Sequence, residues 1–307
     1  MSGPRRRGTA ENELDNLMGT TRTTSKYAAH TIGWVIGQYR QSGEWARLRK
    51  SSQRAYMLAF DRLHGLGKAD MTDLRRRHVL RLRDDLSDTP AMANLVIAVL
   101  STICKWAIER EIIEINPACN VARLDVGEWR RWTDEELQAF YAAAPEHLRR
   151  VMVLGLYTGQ RRSDLCVMRW SDISGGGVRV VQQKTGTKVR IPVHPELARH
   201  LEEWRPNTRT LTILANSLGR PWRPNALTAA YGKQCAALNM QGATIHGLRK
   251  TAAAKLAEAG CSAKQIMAIT GHASLEEVER YTREAEQDIL AGAAISAFPT
   301  IKLGGGL

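Results

Sequence analysis

Side chains suited to phosphate chemistry cluster around one tyrosine near the C-terminal end of the sequence. His246 and Arg249 are three residues apart, and His272 follows Gly271 and precedes Tyr281 by nine residues. A tyrosine hydroxyl has a pKa of about 10, so at neutral pH it attacks only when a base takes its proton and another group stabilises the charge on its target. The segment contains candidates for both tasks and therefore indicates nucleophilic attack by Tyr281.

Two more basic side chains lie in turns earlier in the chain. Arg161 ends a turn that begins at Thr158, and Lys184 lies between the valine-rich runs 178–183 and 188–193. Two such runs on either side of a short turn that contains glycine predict a β-hairpin. Lys184 is expected at its turn.

The transfer of a phosphodiester between two alcohols passes through a pentavalent state with extra negative charge on the non-bridging oxygens. Arg161 and Arg249 each offer a planar fork of donors that fits a phosphate, and His272 can donate one more hydrogen bond. His246 can either accept the Tyr281 proton or hold the phosphate, because its pKa near neutrality permits both. Two guanidiniums can replace a cation here and the sequence has no Asp/Glu cluster, so we expect no metal and no other cofactor.

Helix start signals flank these residues. Capping boxes, in which a Ser or Thr is followed three residues later by Glu or Gln, begin three predicted helices: Thr133 with Glu136, Ser262 with Gln265, and Ser274 with Glu277. The last box places Tyr281 inside a helix whose start is fixed. Ser163 is a candidate N-cap for a further helix over Asp164–Trp170.

The first part of the chain has the apolar periodicity of a small helical bundle. Its predicted helices cover 28–39, 51–63, 73–86 with Thr72 as N-cap, and 90–111. Asn116-Pro117 ends the bundle, because proline cannot continue a helix interior. Residues 1–25 have no periodicity and form a predicted arm with Arg5-Arg6-Arg7.

The chain is strongly basic, with a formal net charge of +13 and a pI near 9.8. Residues 1–126 contain 20 basic and 14 acidic residues, and residues 127–307 contain 24 and 17. This excess in both halves suits a polyanion such as nucleic acid better than an acidic membrane surface. The side chains predicted to contact DNA are Arg54, Arg75, Arg76, Arg77, Arg81, Arg83, Lys105 and Lys188.

The five cysteines are not paired at metal-ligand spacing, which predicts free thiols in a reducing cytoplasm. No apolar run is expected to approach membrane-spanning length. The basic N-terminus lacks the apolar core of a secretory signal. We therefore expect a cytoplasmic protein with no membrane partner.

These motifs, in this order, resemble the tyrosine recombinases, also called the phage integrase family. The segment Thr158-Gly-Gln-Arg-Arg-Ser-Asp-Leu is similar to the first arginine box of that family, and Gln183-Lys-Thr-Gly-Thr-Lys-Val-Arg-Ile-Pro is similar to its lysine hairpin in the lambda-type form. His246-Gly-Leu-Arg and Gly271-His272 with Tyr281 resemble the second and third boxes. The resemblance implies that Lys184 protonates the departing 5′-oxygen. Asp164 stands where the family usually has Glu, and is expected to orient Arg161.

The implied fold is mainly α with a small β-hairpin or sheet. The predicted domains are the arm 1–25, a helical core-binding (SAM-like) domain over 26–118, a linker over 119–131, the catalytic domain over 132–297 and a disordered tail over 298–307. The implied catalytic set is Arg161, Lys184, His246, Arg249, His272 and the nucleophile Tyr281.

The implied function is site-specific DNA recombination through a 3′-phosphotyrosine, in the integration or excision of a phage or other mobile element. The expected partners are double-stranded DNA with inverted-repeat core sites, three further copies of the chain on synapsed DNA, and accessory DNA-bending or directionality proteins. When free, the chain is expected to be a monomer or weak oligomer, associated with the nucleoid in the cell. The segment Glu284–Ala297 is a candidate for docking into a neighbouring protomer, or for packing on its own domain.

Three alternatives remain open from the sequence. A Xer-type chromosome dimer resolvase uses the same chemistry. A type IB topoisomerase makes the same attack but relaxes supercoils without exchanging partners. A DNA-binding protein could keep the fold without catalysis, although all six expected catalytic positions hold suitable residues.

Overall fold

The computed structural model describes residues 26–127, 129–207, 210–279, 291–292 and 295–299. The chain divides into two compact units, Met1–Gly127 and Glu128–Leu307, called here the N-terminal and C-terminal units. The division falls inside the segment that the sequence predicts as a linker. The predicted arm, Tyr281 and most of the segment 284–297 lie outside the described residues.

The N-terminal unit is built mainly from helices in its described part. Its helices are α1 (Ile32–Tyr39), α2 (Gly43–Arg47), α3 (Lys50–Leu63), α4 (Arg76–Asp84) and α5 (Pro90–Ile108). Helix α5 packs against α1, α3 and α4 and buries Val96, Leu100 and Ile103 among them. By length and composition α5 could cross a membrane, so the expectation that no run is long enough was wrong. Its burial shows that it is the core helix of this unit.

One predicted helix of this unit begins later than expected. Thr72 does not cap it, because Thr72 lies in a 3₁₀ turn whose own cap is Asp70. The Thr72 N–H donates to Asp70 Oδ1 at 2.8 Å. The backbone is extended at Leu74 and Arg75, and α4 starts only at Arg76.

The C-terminal unit combines helices with a small sheet. Its described elements are α6 (Asp134–Ala143), α7 (Glu146–Thr158), α8 (Arg162–Leu165), β1 (Ile173–Ser174), β2 (Gly177–Val181), β3 (Lys188–Pro192), α9 (Pro195–Trp204), α10 (Pro224–Ala237), α11 (Ile245–Glu258) and α12 (Ala263–Thr270). The strands form an antiparallel sheet in the order β1-β2-β3. This confirms a mainly α fold with a small hairpin-based sheet.

The predicted hairpin is present, as are two of the predicted capping boxes and one bond of the third. Val178 pairs with Ile191 in the β2–β3 ladder, and Lys184 lies in the loop between these strands. The capping boxes at Thr133 and Ser262 form in full. At the third box, the Glu277 N–H donates to Ser274 Oγ at 3.3 Å and starts a helix described over 275–279.

Helix α8 is shorter than predicted. Instead of running to Trp170 it ends at Leu165, and Ser163 lies inside it rather than at its cap. The reason is pairing with a distant segment. The Met168 carbonyl accepts from Ile213 N at 2.9 Å, and Trp170 N donates to the Leu211 carbonyl at 3.1 Å. These bonds hold the backbone extended where a helix would have continued.

Two helices cross closely at the centre of the C-terminal unit. Helix α11 packs along α7, and a Cβ on Gly155 of α7 would be in van der Waals contact with Leu248 of α11, 3.4 Å away. The packing therefore leaves little space beyond a methyl group at Gly155. This crossing brings Arg249 of α11 to the C-terminal end of α7.

Candidate active site

Arg249 is buried, with 2% of its surface exposed. Its Nη1 donates to the carbonyl of Gly159 at 2.8 Å and to the carbonyl of Thr270 at 2.7 Å. Gly159 is the left-handed C-cap of α7, and Thr270 is the last residue of α12. Carbonyls at helix C-termini lack hydrogen-bond donors inside the helix and carry partial negative charge. A guanidinium supplies the missing donors and a compensating positive charge. Arg249 therefore joins two helix ends at one point.

His272 is held next to Arg249 in one tautomer. Arg249 Nε donates to His272 Nε2 at 3.2 Å, so Nε2 carries the lone pair and the ring proton is on Nδ1. The Nδ1 proton points to Thr270 Oγ1 at 2.7 Å, and that hydroxyl donates to the Ile266 carbonyl at 2.8 Å. In this series of three hydrogen bonds, from Arg249 through His272 to Thr270, every donor meets an acceptor. Gly271 makes the turn possible with φ of +67°, where glycine is favoured.

The electrostatic surroundings keep His272 neutral. Burial, then the charges of Arg249 and Arg161, lower the pKa of His272 to about 3. At neutral pH its Nε2 accepts a hydrogen bond from Arg249 rather than offering one. Donation from His272 to a phosphate remains a prediction, and it would require this pair to rearrange.

Arg161 is oriented by a glutamine that the sequence analysis missed. Arg161 Nη1 donates to Gln182 Oε1 at 2.7 Å, and Gln182 is 1% exposed. Gln182 Nε2 in turn donates to Gln160 Oε1 at 2.8 Å and to the Thr270 carbonyl at 2.7 Å. Thr270 therefore receives both Arg249 and Gln182 at one oxygen, which links the two candidate catalytic arginines. A signal for Gln182 was available: it continues the buried register of Val178 and Val180 in β2.

Asp164 contacts the lysine hairpin. It is fully buried, and its Oδ1 accepts from the backbone N–H of Gln183 at 2.7 Å. Asp164 is predicted from the sequence to orient Arg161, whereas this bond holds Gln183, the residue next to Lys184. The loop is closed by a bond from Gln182 N to the Thr187 carbonyl at 2.9 Å, and Lys184 itself is exposed.

His246 lies half-buried in the first turn of α11. Burial, followed by the charges of Arg249, Lys250 and Arg161, lowers its pKa, while Glu277 acts in the opposite direction. A neutral imidazole can accept a proton, which suits the base role. The ring lies 6.0 Å from that of Trp129, centroid to centroid. Sequence reasoning did not single out Trp129, which is 56% exposed.

Four of the predicted catalytic residues thus share one site in the described structure: Arg161, His246, Arg249 and His272. Lys184 lies on a loop tied to that site by Gln182 and Asp164. Tyr281, the predicted nucleophile, is outside the described residues. Within the described ranges, no group of three or more His, Cys, Asp or Glu side chains could hold a metal ion. All five cysteines are free thiols.

Two of the predicted DNA contacts are engaged with the chain itself. Arg76 donates to the carbonyls of Cys119 and Asn120 at 2.7 and 3.0 Å. Arg83 donates to the Ala122 carbonyl at 3.2 Å. These bonds fix part of the predicted linker against α4, and DNA contact by these two arginines stays a prediction.

The other six predicted DNA contacts are exposed, as is Arg76. Arg75 donates to the Thr72 carbonyl, Arg77 to His78, and Arg81 lies 3.9 Å from Asp85. Arg54, Lys105 and Lys188 are also exposed. Exposed pairs of this kind are weak and can exchange a protein partner for a phosphate. DNA contact by these residues remains a prediction.

Comparison with known proteins identifies the family to which this chain belongs. Residues 130–288 match the model of the phage integrase family, and the chain belongs to that family. The match covers all six predicted catalytic residues, including Tyr281.

Among similar curated proteins are two phage integrases and a chromosomal recombinase. The integrase of Enterobacteria phage 434 is 31% identical over 234 residues, which cover 71% of this chain and 65% of the relative. The integrase of Escherichia phage lambda is 30% identical with the same coverage. The tyrosine recombinase XerC of Mycobacterium tuberculosis (strain ATCC 25177 / H37Ra) is 32% identical over 205 residues, 59% of this chain and 68% of the relative. The chain thus spans about 65% of the length of the phage integrases it matches.

Solved structures share the fold. A lambda integrase dimer bound to a COC′ core site has a TM-score of 0.75 at 24% identity, over 89% of this chain and all of that one. A lambda integrase tetramer bound to a Holliday junction has a TM-score of 0.71 at 26% identity, over 89% of this chain and 83% of that one.

Proposed function

We propose that this protein is a site-specific DNA recombinase of the integrase type, which cuts and rejoins DNA through a 3′-phosphotyrosine at Tyr281. The arrangement of Arg161 and Arg249 carries this proposal. The two guanidiniums are linked through Gln182 and a single carbonyl, that of Thr270, and two neutral histidines lie beside them. Fixed donors of this kind suit the charge that develops on a phosphodiester under attack.

In the proposed reaction, the Tyr281 oxygen attacks phosphorus and the bond from phosphorus to the 5′-oxygen breaks. His246 takes the phenol proton, since its lowered pKa leaves it neutral at physiological pH. Lys184 gives a proton to the departing 5′-oxygen. The phosphotyrosine conserves the bond energy, so a 5′-hydroxyl from a second duplex can reverse the same steps without ATP.

The proposed partners follow from this chemistry and from the family. Exchange between two duplexes requires four cuts, and therefore four protomers. The lambda integrase tetramer on a Holliday junction supports an assembly of this kind. We further propose inverted-repeat core sites, accessory proteins that bend the DNA or set direction, and a cytoplasmic location in contact with the nucleoid.

A nicked suicide substrate tests the reaction. Cleavage releases a short strand that diffuses away, so the covalent protein–DNA adduct accumulates and is seen on a denaturing gel. The wild-type chain should form the adduct and Tyr281→Phe should not. Tyr141→Phe is the matched control, because Tyr141 is a 41% exposed tyrosine of the same unit and should leave the adduct unchanged. An adduct in Tyr281→Phe, or none in the wild type, would refute the proposal.

A Xer-type resolvase is the second candidate, because XerC is as similar in identity as the phage integrases and is covered over 68% of its length. The DNA separates the two functions. An integrase recombines an element end with a host site that shares its core sequence, whereas a resolvase recombines two copies of one chromosomal site. Relaxation of supercoiled plasmid without exchange would instead indicate the topoisomerase-like alternative.

A further inference from the structure

We propose that Gln182 is a positioning residue, which sets the Lys184 loop in register with the Arg161–Arg249 pair so that proton delivery and phosphate binding are aligned. This inference rests on the proposed function. The chain of contacts that carries it runs from the loop, through one buried amide, to both arginines.

The orientation of the Gln182 amide is fixed by its neighbours. Its Nε2 meets two oxygens, Gln160 Oε1 and the Thr270 carbonyl, which can only accept. Its Oε1 meets Arg161 Nη1, which can only donate. Rotation of the amide by half a turn would set oxygen against oxygen and nitrogen against nitrogen. The amide therefore holds Arg161 in one direction.

The neighbouring Gln160 is fixed in the same way. Its Nε2 donates to the carbonyls of Thr158 and Ile269 at 3.0 and 2.9 Å. Its Oε1 is thus left to accept from Gln182. Two buried amides in series, each with a defined orientation, make a rigid connection between the ends of α7 and α12.

The same amide also reaches the lysine loop. Thr185 Oγ1 donates to Gln182 Oε1 at 3.2 Å, and the Gly186 N–H donates to the Gln182 carbonyl at 2.8 Å. In the sequence, Lys184 lies between Gln182 and these two partners. A displacement of the Gln182 side chain would therefore move the base of the loop and the Arg161 guanidinium together.

The backbone around Gln182 leaves room for this amide and for little else. A Cβ on Gly271 would collide with the Gln182 amide. Glutamate at position 182 would turn a carboxylate oxygen toward two acceptors and lose both donated bonds. Leucine would remove all four side-chain contacts at similar size. The residue type is thus matched to the site.

A substrate with sulfur in place of the departing 5′-oxygen tests the role. A thiolate leaves without a proton, because a thiol has a pKa of about 8.5. The Tyr281 O–P bond then forms and the P–S bond breaks with no help from Lys184. Any defect that acts through Lys184 should shrink on this substrate, whereas a defect in phosphate binding or folding should not.

The experiment measures cleavage rates of the wild type, Gln182→Leu, Lys184→Ala and Val181→Ala on both substrates. We expect Gln182→Leu to slow cleavage of the oxygen substrate about 100-fold, the size of effect that a misplacement of about 1 Å produces. On the sulfur substrate the loss should fall to about 10-fold or less, with DNA binding unchanged. Val181→Ala is the matched control, since Val181 is the last residue of β2, directly before Gln182, and is 55% exposed; it should cleave like the wild type.

Equal losses on both substrates, or no loss, would overturn the inference. If sulfur fails to rescue Lys184→Ala, Lys184 is not the proton donor and the inference also fails, while attack by Tyr281 stands. No adduct from the wild type on either substrate would instead refute the proposed function. If Gln182→Leu does not fold, Thr185→Val serves in its place, because it removes the hydroxyl that donates to Gln182 Oε1 and leaves the Gln182 amide intact. The same hydroxyl also contacts Thr187 Oγ1 and accepts from Thr187 N within the loop. Thr185→Val should show a smaller loss with the same rescue, and an unrescued loss or none would count against the inference.

Discussion

His272 should make this protein less stable as the pH is lowered from 7.5 to 5.0, a range in which the stability of most folded proteins changes little. In the unfolded chain its pKa is near the ordinary 6.5, and in the folded site it is about 3. At pH values between these two pKa values, His272 is protonated in the unfolded chain but neutral in the folded site. The stability contributed by neutral His272 is therefore present above pH 6.5 and is lost as the pH falls toward 3.

The size of this loss follows from proton linkage. A pKa difference gives a slope of up to about 1.4 kcal/mol per pH unit, so the ceiling between pH 7.5 and 5.0 is about 2 kcal/mol. Solvent screening and local relaxation reduce such effects, so we expect about 1 kcal/mol for this residue.

Urea unfolding at the two pH values measures this difference. His272→Asn and His272→Gln are the reference variants, because neither side chain titrates, and each retains an amide that can replace one of the imidazole contacts. The wild type should lose about 1 kcal/mol more than either variant on going from pH 7.5 to 5.0. Parallel losses in all three proteins, or an NMR titration of His272 near pH 6.5, would refute the reasoning.

Four further outcomes are expected. Gly271→Ala should be less stable than Gly260→Ala by about 1–3 kcal/mol in urea unfolding and should cleave poorly. Both variants place alanine at a positive φ, but only the Cβ at position 271 meets a side chain, that of Gln182. Equal losses of stability in the two variants would argue against a close fit at Gly271. Arg249→Ala should lose stability as well as cleavage, since it removes the donor to the Gly159 carbonyl and one of the two donors to the Thr270 carbonyl. Arg249→Lys should stay folded and lose cleavage, as thermal unfolding and the adduct assay will show. Asp164→Asn should keep an acceptor for the hairpin amide and cleave within about 3-fold of wild type, while Asp164→Ala should cost about 1–3 kcal/mol; a large loss in the asparagine variant would mean that the charge matters. DNA binding should weaken with salt, with log affinity falling about 0.9 per phosphate neutralised in a filter-binding titration, and a flat response would contradict a DNA contact by both basic halves.

The parts of this fold that depend on local sequence were predictable. The Thr133 and Ser262 boxes act within four residues, and the β2–β3 turn is set by the residues beside Lys184. Short-range signals of this kind are readable because the groups that satisfy them are neighbours in the chain.

The errors arose where a distant segment decides the local structure. Helix α8 was predicted to continue to Trp170, but the strand-like pairing of Met168 and Trp170 with residues 211–213 ends it. Gln182 was missed for a related reason, since three of its partners come from elements 21 to 88 residues away. The alternation of Val178, Val180 and Gln182 along the chain was the one local sign that the Gln182 side chain points into the core.

The same long-range contacts explain how the site can hold so much positive charge. Arg161 and Arg249 lie close enough to lower the pKa of both histidines, yet each guanidinium is held by carbonyl or amide oxygens before any phosphate is present. The bonds formed on folding thus offset the cost of bringing like charges together, and in the proposed reaction the donors need not reorganise when charge develops on the phosphate. Because the Thr270 carbonyl and hydroxyl are shared by Arg249, Gln182 and His272, loosening this residue should weaken both the fold and the chemistry. In the proposed reaction, the rate of cleavage should therefore depend on the stability of the C-terminal end of α12.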